Sequence, residues 1–289
     1  MSQAEPWTVG RLLTWTTDYL KQHGSETPRL DAEVLLATAL GCQRIQLYAT
    51  FGDEPSEAAR KQFRELVKRR AEGMPVAYLV GQREFYSLPF KVTPDVLIPR
   101  PETEFLVVRL LDLVKGQGGS QAKVADVGTG SGIIAICAAK HAGCRVTAID
   151  ISPAALAVAR GNAEGLGVAD RVEFVESDLF SSVPNASFDL IASNPPYVSS
   201  AEMNELAADV RNFEPKLALE AGPQGTSVIE RLIPQAAERL KPRGSLLMEI
   251  SPMIDARVRD LLQQNGHFEV RPTIKDLAGH ARVVEARRV

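Results

Sequence analysis

An alternation that begins near residue 121 restricts the fold of this chain more than any other feature. Short apolar runs end in polar or glycine-rich residues and give way to helical patterning, repeatedly. The runs are Lys123 to Val127, Arg145 to Ile149, Val172 to Val175, Phe188 to Ala192 and Ser245 to Ile250, with Phe268 to Pro272 and Arg282 to Ala286 after them. Helical stretches start at Ile133, run from about Pro153 to Leu166, and recur near Thr226–Leu240. Strands separated by a helix return parallel, so the pattern predicts an α/β, Rossmann-like fold around a seven-stranded parallel sheet. In such sheets ligands sit at the carboxyl ends of the strands, which makes the residues there the ones to read for function.

The fourth run delivers Ser193-Asn194-Pro195-Pro196-Tyr197. Neither proline can donate a ladder hydrogen bond, so the strand stops, and each holds the residue before it extended. The result is a stiff corner bearing an amide side chain, a free carbonyl and an aromatic ring. Such a corner suits a planar –NH2 group, whose nitrogen is a poor nucleophile because its lone pair is delocalised. The Asn194 side-chain oxygen and the Pro195 carbonyl would each accept one N–H and fix that nitrogen's orientation. Pro196 stiffens the turn and Tyr197 forms a wall against the flat group. A plain Pro-Pro turn with an incidental asparagine is the bland alternative, and the other strand ends weigh against it.

The first run leads into Asp126-Val127-Gly128-Thr129-Gly130-Ser131-Gly132 and opens a helix. Glycines there permit a tight turn and a close approach of backbone to ligand. A dinucleotide site has G-x-G-x-x-G and seats a pyrophosphate on the helix N-terminus. Here the spacing is G-x-G-x-G with Asp126 two residues ahead, the arrangement expected for S-adenosylmethionine. That ligand has no phosphate, and its cationic sulfonium and ammonium suit carboxylates and carbonyls. Asp150, ending the second run, is spaced to accept both ribose hydroxyls. Asp178 and Leu179, beyond the third, are spaced to contact the adenine amine and ring. Three successive strand ends of this kind predict a methyltransferase.

Residues from about 8 to 80 read as helical, with Val9, Leu12, Leu13 and Leu20 near helical spacing. Thr27-Pro28 forms a helix start, Gly41 a stop, and a third helix begins near Pro55. This region carries 10 Lys plus Arg against 10 Asp plus Glu, and six of the basic residues (Arg60, Lys61, Arg64, Lys68, Arg69, Arg70) crowd one helix. A solvated face is the simpler reading of that cluster; a surface for an acidic partner is the other. Two β-prone segments around Ser87-Leu88-Pro89 predict a hairpin linker. The expected division is therefore a helical domain over 1–80, a linker over 81–100 and a catalytic domain over 101–289.

A formal net charge of −3 speaks against a dedicated DNA binder. The start, Met1-Ser2-Gln3-Ala4-Glu5, has no leader pattern, and no apolar run reaches the roughly 18–20 residues of a membrane span. Three unpatterned cysteines, Cys42, Cys137 and Cys144, fit a reducing cytoplasm, and four scattered histidines offer no metal-ligand spacing.

Several motifs together resemble the HemK/PrmC family, methyltransferases that modify the side-chain N5 of the glutamine in the Gly-Gly-Gln loop of class I peptide-chain release factors. The resemblance rests on Leu97-Ile98-Pro99-Arg100-Pro101-Glu102-Thr103-Glu104, the glycine loop 126–132, Asn194-Pro195-Pro196-Tyr197, Phe213-Glu214-Pro215 with Ala218-Leu219, and Asp276-Leu277-Ala278-Gly279 with Arg282. It implies that Asp126, Gly128, Thr129, Gly130, Ser131, Gly132, Asp150, Ile151, Asp178, Leu179 and Asn194 bind S-adenosylmethionine. It also implies that Asn194, Pro195, Pro196 and Tyr197 hold the substrate glutamine. The helical domain would recognise the rest of the release factor, and the enzyme would act as a cytoplasmic monomer. Asn-Pro-Pro-Tyr alone is shared with DNA adenine and RNA guanine methyltransferases, the rival reading; these would want a basic groove and a base-recognition insert, and neither is visible. A non-catalytic module that keeps the fold is a third reading, and the intact glycine loop, Asp150 and Asn194 oppose it. The sequence departs from the family at Ser251 and Ile254, where glycine and glutamine are usual.

Overall fold

The helical patterning ahead of residue 81 folds as α1 (Val9–Gln22), α2 (Pro28–Leu40), the short α3 (Gln46–Ala49), α4 (Glu57–Ala71) and the short α5 (Val76–Val80). The computed structural model describes residues 6–289, so the polar start, residues 1–5, lies outside the described residues. Leu13, Leu35, Leu36 and Leu47 are fully buried in the core of this bundle. Gly41 ends α2 in the left-handed region at φ 64°, as the sequence implies. The start of α2 differs from expectation. The Thr27 hydroxyl does not cap the first turn but donates to Asp31 Oδ1 at 2.9 Å. Asp31, itself buried, also accepts from Ser25 Oγ and from Arg70 Nε at 2.7 Å, which ties α2 to α4. The basic cluster on α4 is thus divided: Arg70 and Arg60 are spent on ion pairs with Asp31 and Glu54, while Lys61, Arg64, Lys68 and Arg69 are exposed.

Beyond residue 81 come a hairpin, β1 (Gln82–Phe85) and β2 (Leu88–Lys91), then α6 (Thr103–Gly116), β3 (Lys123–Val127), α7 (Ile133–Ala142), β4 (Arg145–Asp150), α8 (Pro153–Gly165), β5 (Val172–Glu176) and β6 (Phe188–Ser193). The chain continues through α9 (Ala208–Phe213), α10 (Ser227–Arg239), β7 (Leu240–Glu249), α11 (Asp255–Asn265), β8 (Phe268–Val270), β9 (Ile274–Lys275) and β10 (Ala281–Arg288). The main sheet has the order β5-β4-β3-β6-β7-β10-β8, with the two-residue β9 pairing on β10. β5 through β7 are parallel and β10 is antiparallel to β7. The predicted α/β sheet is therefore present, with β9 added to the seven strands read from the sequence and β10 running against the parallel order expected. β7 starts at Leu240 rather than at Ser245, because a bulge at Arg243 (φ 67°) and Gly244 lets the strand pair with Phe188 before its register shifts.

The described chain falls into two compact units: residues up to Gly81 with Ala208–Phe213, and Gln82–Ala207 with Glu214–Val289. The hairpin, read above as a linker, belongs to the second unit, and the short α9 to the first. Asn162 of α8 shows what fixes the hairpin. Its Oδ1 accepts from Lys91 N at 2.7 Å, and its Nδ2 donates to Lys91 O and to Ser131 O at 3.0 and 2.9 Å. One buried amide therefore joins β2 to the glycine loop.

Candidate active site

Parallel pairing brings the carboxyl ends of β3, β4, β5, β6 and β7 to one edge, and a cavity opens there. After β3 the backbone turns back: Gly128 N and Thr129 N both donate to Ile149 O, at 2.8 and 3.0 Å, and Gly130 N donates to Asp150 Oδ2 at 2.8 Å. Gly130 sits at φ 55° with open space where a side chain would project, so its backbone is bare to the cavity. Gly128, Thr129, Gly130 and Ser131 line the cavity, together with Asp150, Ile151, Asp178 and Leu179 from the next two strand ends. Leu179 holds φ 51°, a costly conformation for a leucine, where the cavity wall meets the hydrophobic core.

Two residues expected to touch the ligand are elsewhere. Asp126 is fully buried and does not line the cavity. Its Oδ2 accepts from Thr129 Oγ1 at 2.6 Å and from Ala135 N at 3.0 Å, so it caps the first turn of α7 and shapes the loop from beneath. Oδ1 has no partner, and burial pushes this carboxyl up to about 7. Gly132 also faces away. A Cβ there would stand 2.9 Å from Ile136 Cδ1 and 3.2 Å from Ala159 Cβ, so this glycine permits α7 and α8 to pack.

Asp150 has both oxygens engaged by backbone: Oδ2 by Gly130 N and Oδ1 by Ser152 N at 2.9 Å. Each oxygen keeps a second lone pair for a ligand hydroxyl. Burial raises its pKa. The two guanidinium groups lining the cavity are already paired, Arg100 with Glu214 and Arg231 with Asp178. The charge left uncommitted is that of carboxylates, which fits a cationic, hydroxylated ligand and does not fit a polyphosphate. Among the described residues no group of acidic, histidine or cysteine side chains is placed to hold a metal ion.

At the end of β6, Asn194 and Pro196 line the cavity, whereas Pro195 is buried behind them and Tyr197 packs against the hydrophobic core on that side of the sheet. Burial, aided by the nearby Glu249 carboxyl, raises the Tyr197 phenol, so it stays neutral. Asn194 Nδ2 donates to Thr103 Oγ1 at 3.3 Å, leaving Oδ1 as its acceptor. The segment after the corner is clamped in turn. Val198 N donates to Leu219 O, and Ala221 N to Val198 O, at 2.9 and 2.8 Å. Gly225 (φ 69°) lies so close beneath that a Cβ would come within 2.6 Å of Tyr197 O. Gly225→Ala is therefore expected to destabilise the fold by about 1–3 kcal/mol, read as a lower urea midpoint at unchanged slope.

The motif 97–104 reaches the corner through Thr103 and is itself tied down by Glu214, a buried acid more than a hundred residues on. Its Oε2 accepts from Ile98 N at 3.1 Å and its Oε1 from Arg100 Nη2 at 2.5 Å. Nothing in the sequence joins this motif to Phe213-Glu214-Pro215. Thr103, Asn162 and Glu214 are not legible there as working residues, since a buried threonine, amide or acid has no local signature; only the Arg-Pro-Glu-Thr segment hinted at a wall.

Residues 11–81 match the PrmC N-terminal domain family, and residues 102–212 match the methyltransferase small domain family. The release factor glutamine methyltransferase of Rhodopirellula baltica is 51% identical over 291 residues, covering 99% of this chain and 98% of its own. The chain belongs to the release factor glutamine methyltransferase family. The enzyme of that name from Koribacter versatilis is 42% identical, over 93% of this chain and 95% of its own. Among solved structures, the hMettl16 catalytic domain bound to a MAT2A 3′UTR hairpin superposes with a TM-score of 0.58 at 16% identity, over 77% of this chain and 81% of that one, a likeness of fold. The two departures from the family pattern are absorbed locally. Ser251 Oγ accepts from Met253 N at 3.3 Å and caps a helical turn, and Ile254 joins the core below.

Proposed function

We propose that this enzyme transfers a methyl group from S-adenosylmethionine to the side-chain N5 of the glutamine in the Gly-Gly-Gln loop of class I peptide-chain release factors. The observation that carries the reading is the position of Asn194, on the wall of the cavity with its nitrogen turned to Thr103 and its oxygen left to accept. When bound, S-adenosylmethionine supplies a methyl group on a positively charged sulfur, already a strong electrophile. Asp150 takes the ribose hydroxyls, the bare backbone at Gly130 admits the ligand closely, and Ile151 and Leu179 flank the adenine, with Asp178 toward its amine. Asn194 Oδ1 and the Pro195 carbonyl hold the two N–H groups of the glutamine amide, while Pro196 keeps the corner rigid. Tyr197 supports that corner from the core side. What remains is alignment, which is worth about 7–11 kcal/mol in favourable cases. No strong base is needed, because the methylated amide sheds its proton readily to water.

A release factor presents its glutamine on a loop, and the helical unit with its exposed α4 lysines and arginines is the candidate to recognise the remainder. The enzyme acts as a cytoplasmic monomer with no direct binding to DNA, in keeping with the net charge of −3. No described helix is long and apolar enough to cross a membrane.

Radiolabelled S-adenosylmethionine, offered with a class I release factor, the same factor with its Gly-Gly-Gln glutamine changed to alanine, and duplex DNA plus ribosomal RNA, tests the reading. Label is expected only on the first, with peptide mass spectrometry placing one methyl on the glutamine. Label on nucleic acid alone would replace the protein substrate with a base amino group.

A further inference from the structure

Behind the corner lies an acid that the mechanism above does not use. Glu249 ends β7, the strand next to β6, and only 2% of its surface is exposed. Ser193 of β6 pairs with Met248, which sets Glu249 beside Asn194; the Thr103 hydroxyl and the Asn194 amide both favour its ionised form, and its Oε2 is buried without a hydrogen-bond partner. Burying an ionisable group this way is costly, and a merely structural position would be better filled by an apolar residue. Glu102 and Arg282 are the other charged groups that act on it.

We infer that Glu249 is a positioning residue that sets which way the Asn194 amide faces, so that its oxygen, and not its nitrogen, meets the acceptor –NH2 group. An asparagine amide is nearly symmetric in shape, and only its neighbours distinguish oxygen from nitrogen. Once ionised, as it is at pH 8, above the value of about 7 to which burial pushes it, the Glu249 carboxylate accepts and does not donate, so it favours the Nδ2 side of Asn194. Thr103 agrees with this polarity, because its oxygen accepts from Asn194 Nδ2, which leaves its proton to favour the ionised form of Glu249. Were Asn194 flipped, its nitrogen would confront the N–H donors of the acceptor and the corner would repel its substrate. The inference rests on the reading that Asn194 holds the acceptor amide.

The test compares Glu249→Met, similar in length with no strong acceptor, and Glu249→Gln, which can hold Asn194 in either orientation. Turnover of the release-factor glutamine is expected to fall about 10–100-fold in the methionine variant and by less in the glutamine variant, with the KM for S-adenosylmethionine unchanged. Thermal midpoints at pH 8 should not fall, since both variants remove a buried charge. In an Asn194→Ala background the Glu249→Met substitution should cost nothing further, because Glu249 acts only through that side chain. Parental turnover in the methionine variant, or the same fold loss in both backgrounds, would overturn the assignment. If the parent enzyme methylates nucleic acid and not the factor, the substrate reading falls. The same ratios measured on that acceptor would still decide the role of Glu249, since a base amino group meets the corner in the same way.

Discussion

Replacing Asn194 with alanine is expected to lower kcat by about 10²–10³-fold, the usual cost of deleting one preorganised hydrogen bond to a reacting group. Affinity for S-adenosylmethionine should change little, because the ligand contacts proposed above at Asp150, the glycine loop and Leu179 are left intact. No second side chain stands ready to substitute. Thr103, the nearest polar group, is fully buried and engaged, and Pro195 offers only its carbonyl. Single-turnover kinetics with the release factor separates the chemical step from binding. An alanine variant working at the parental rate would overturn the assignment of the corner as the amide holder.

Asp150→Ala should act on the other substrate. Charge-assisted hydrogen bonds contribute about 1.5–3 kcal/mol, so S-adenosylmethionine affinity should weaken about 10–150-fold, measured by calorimetry. The loss has two sources that the structure separates. One is the acceptor for the ribose hydroxyls. The other is the tie from Gly130 N, which holds the loop against β4. Asp150→Asn keeps an acceptor oxygen for a neighbour without the charge, and should fall between the parent and the alanine variant. Unchanged affinity in the alanine variant would remove Asp150 from the ligand site.

The parts of this site that repeat a local pattern were legible in the sequence. A strand, a glycine turn and a helix announce themselves through spacing alone, and Asp150 and Asn194, which line the cavity, stand at or just past the ends of apolar runs. Asp126 shows where that reasoning stops. Its place two residues ahead of the glycines suggests a ligand contact, yet the pleat of β3 turns its side chain inward to cap α7. Gly132 fails for the same reason, since a glycine that serves a ligand and one that serves helix packing look alike in a sequence. Thr103 bonds to Asn194, 91 residues on, and Glu214 to Ile98, 116 residues back, while Glu249 reaches the corner from a neighbouring strand; these meetings depend on tertiary packing, and no periodicity carries that information. The helix start at Thr27 was placed correctly but its hydrogen bond was not, because a buried acid four residues on competes for the hydroxyl.

The two acids buried under the ligand edge give the protein an unusual dependence on protons. Asp126 and Glu249 both titrate near 7 in the folded chain, well above the 3.8 and 4.5 of free carboxyl groups. Between those limits the folded state keeps protons that the unfolded chain has already released, so folding takes protons up and stability falls as pH rises from about 4 toward 7. Asp276, held down to about 2 by Arg282, works in the opposite sense, and only in stronger acid. Near neutrality the buried pair sets the slope, and mild acidification should tighten this fold while ordinary surface carboxylates have little say.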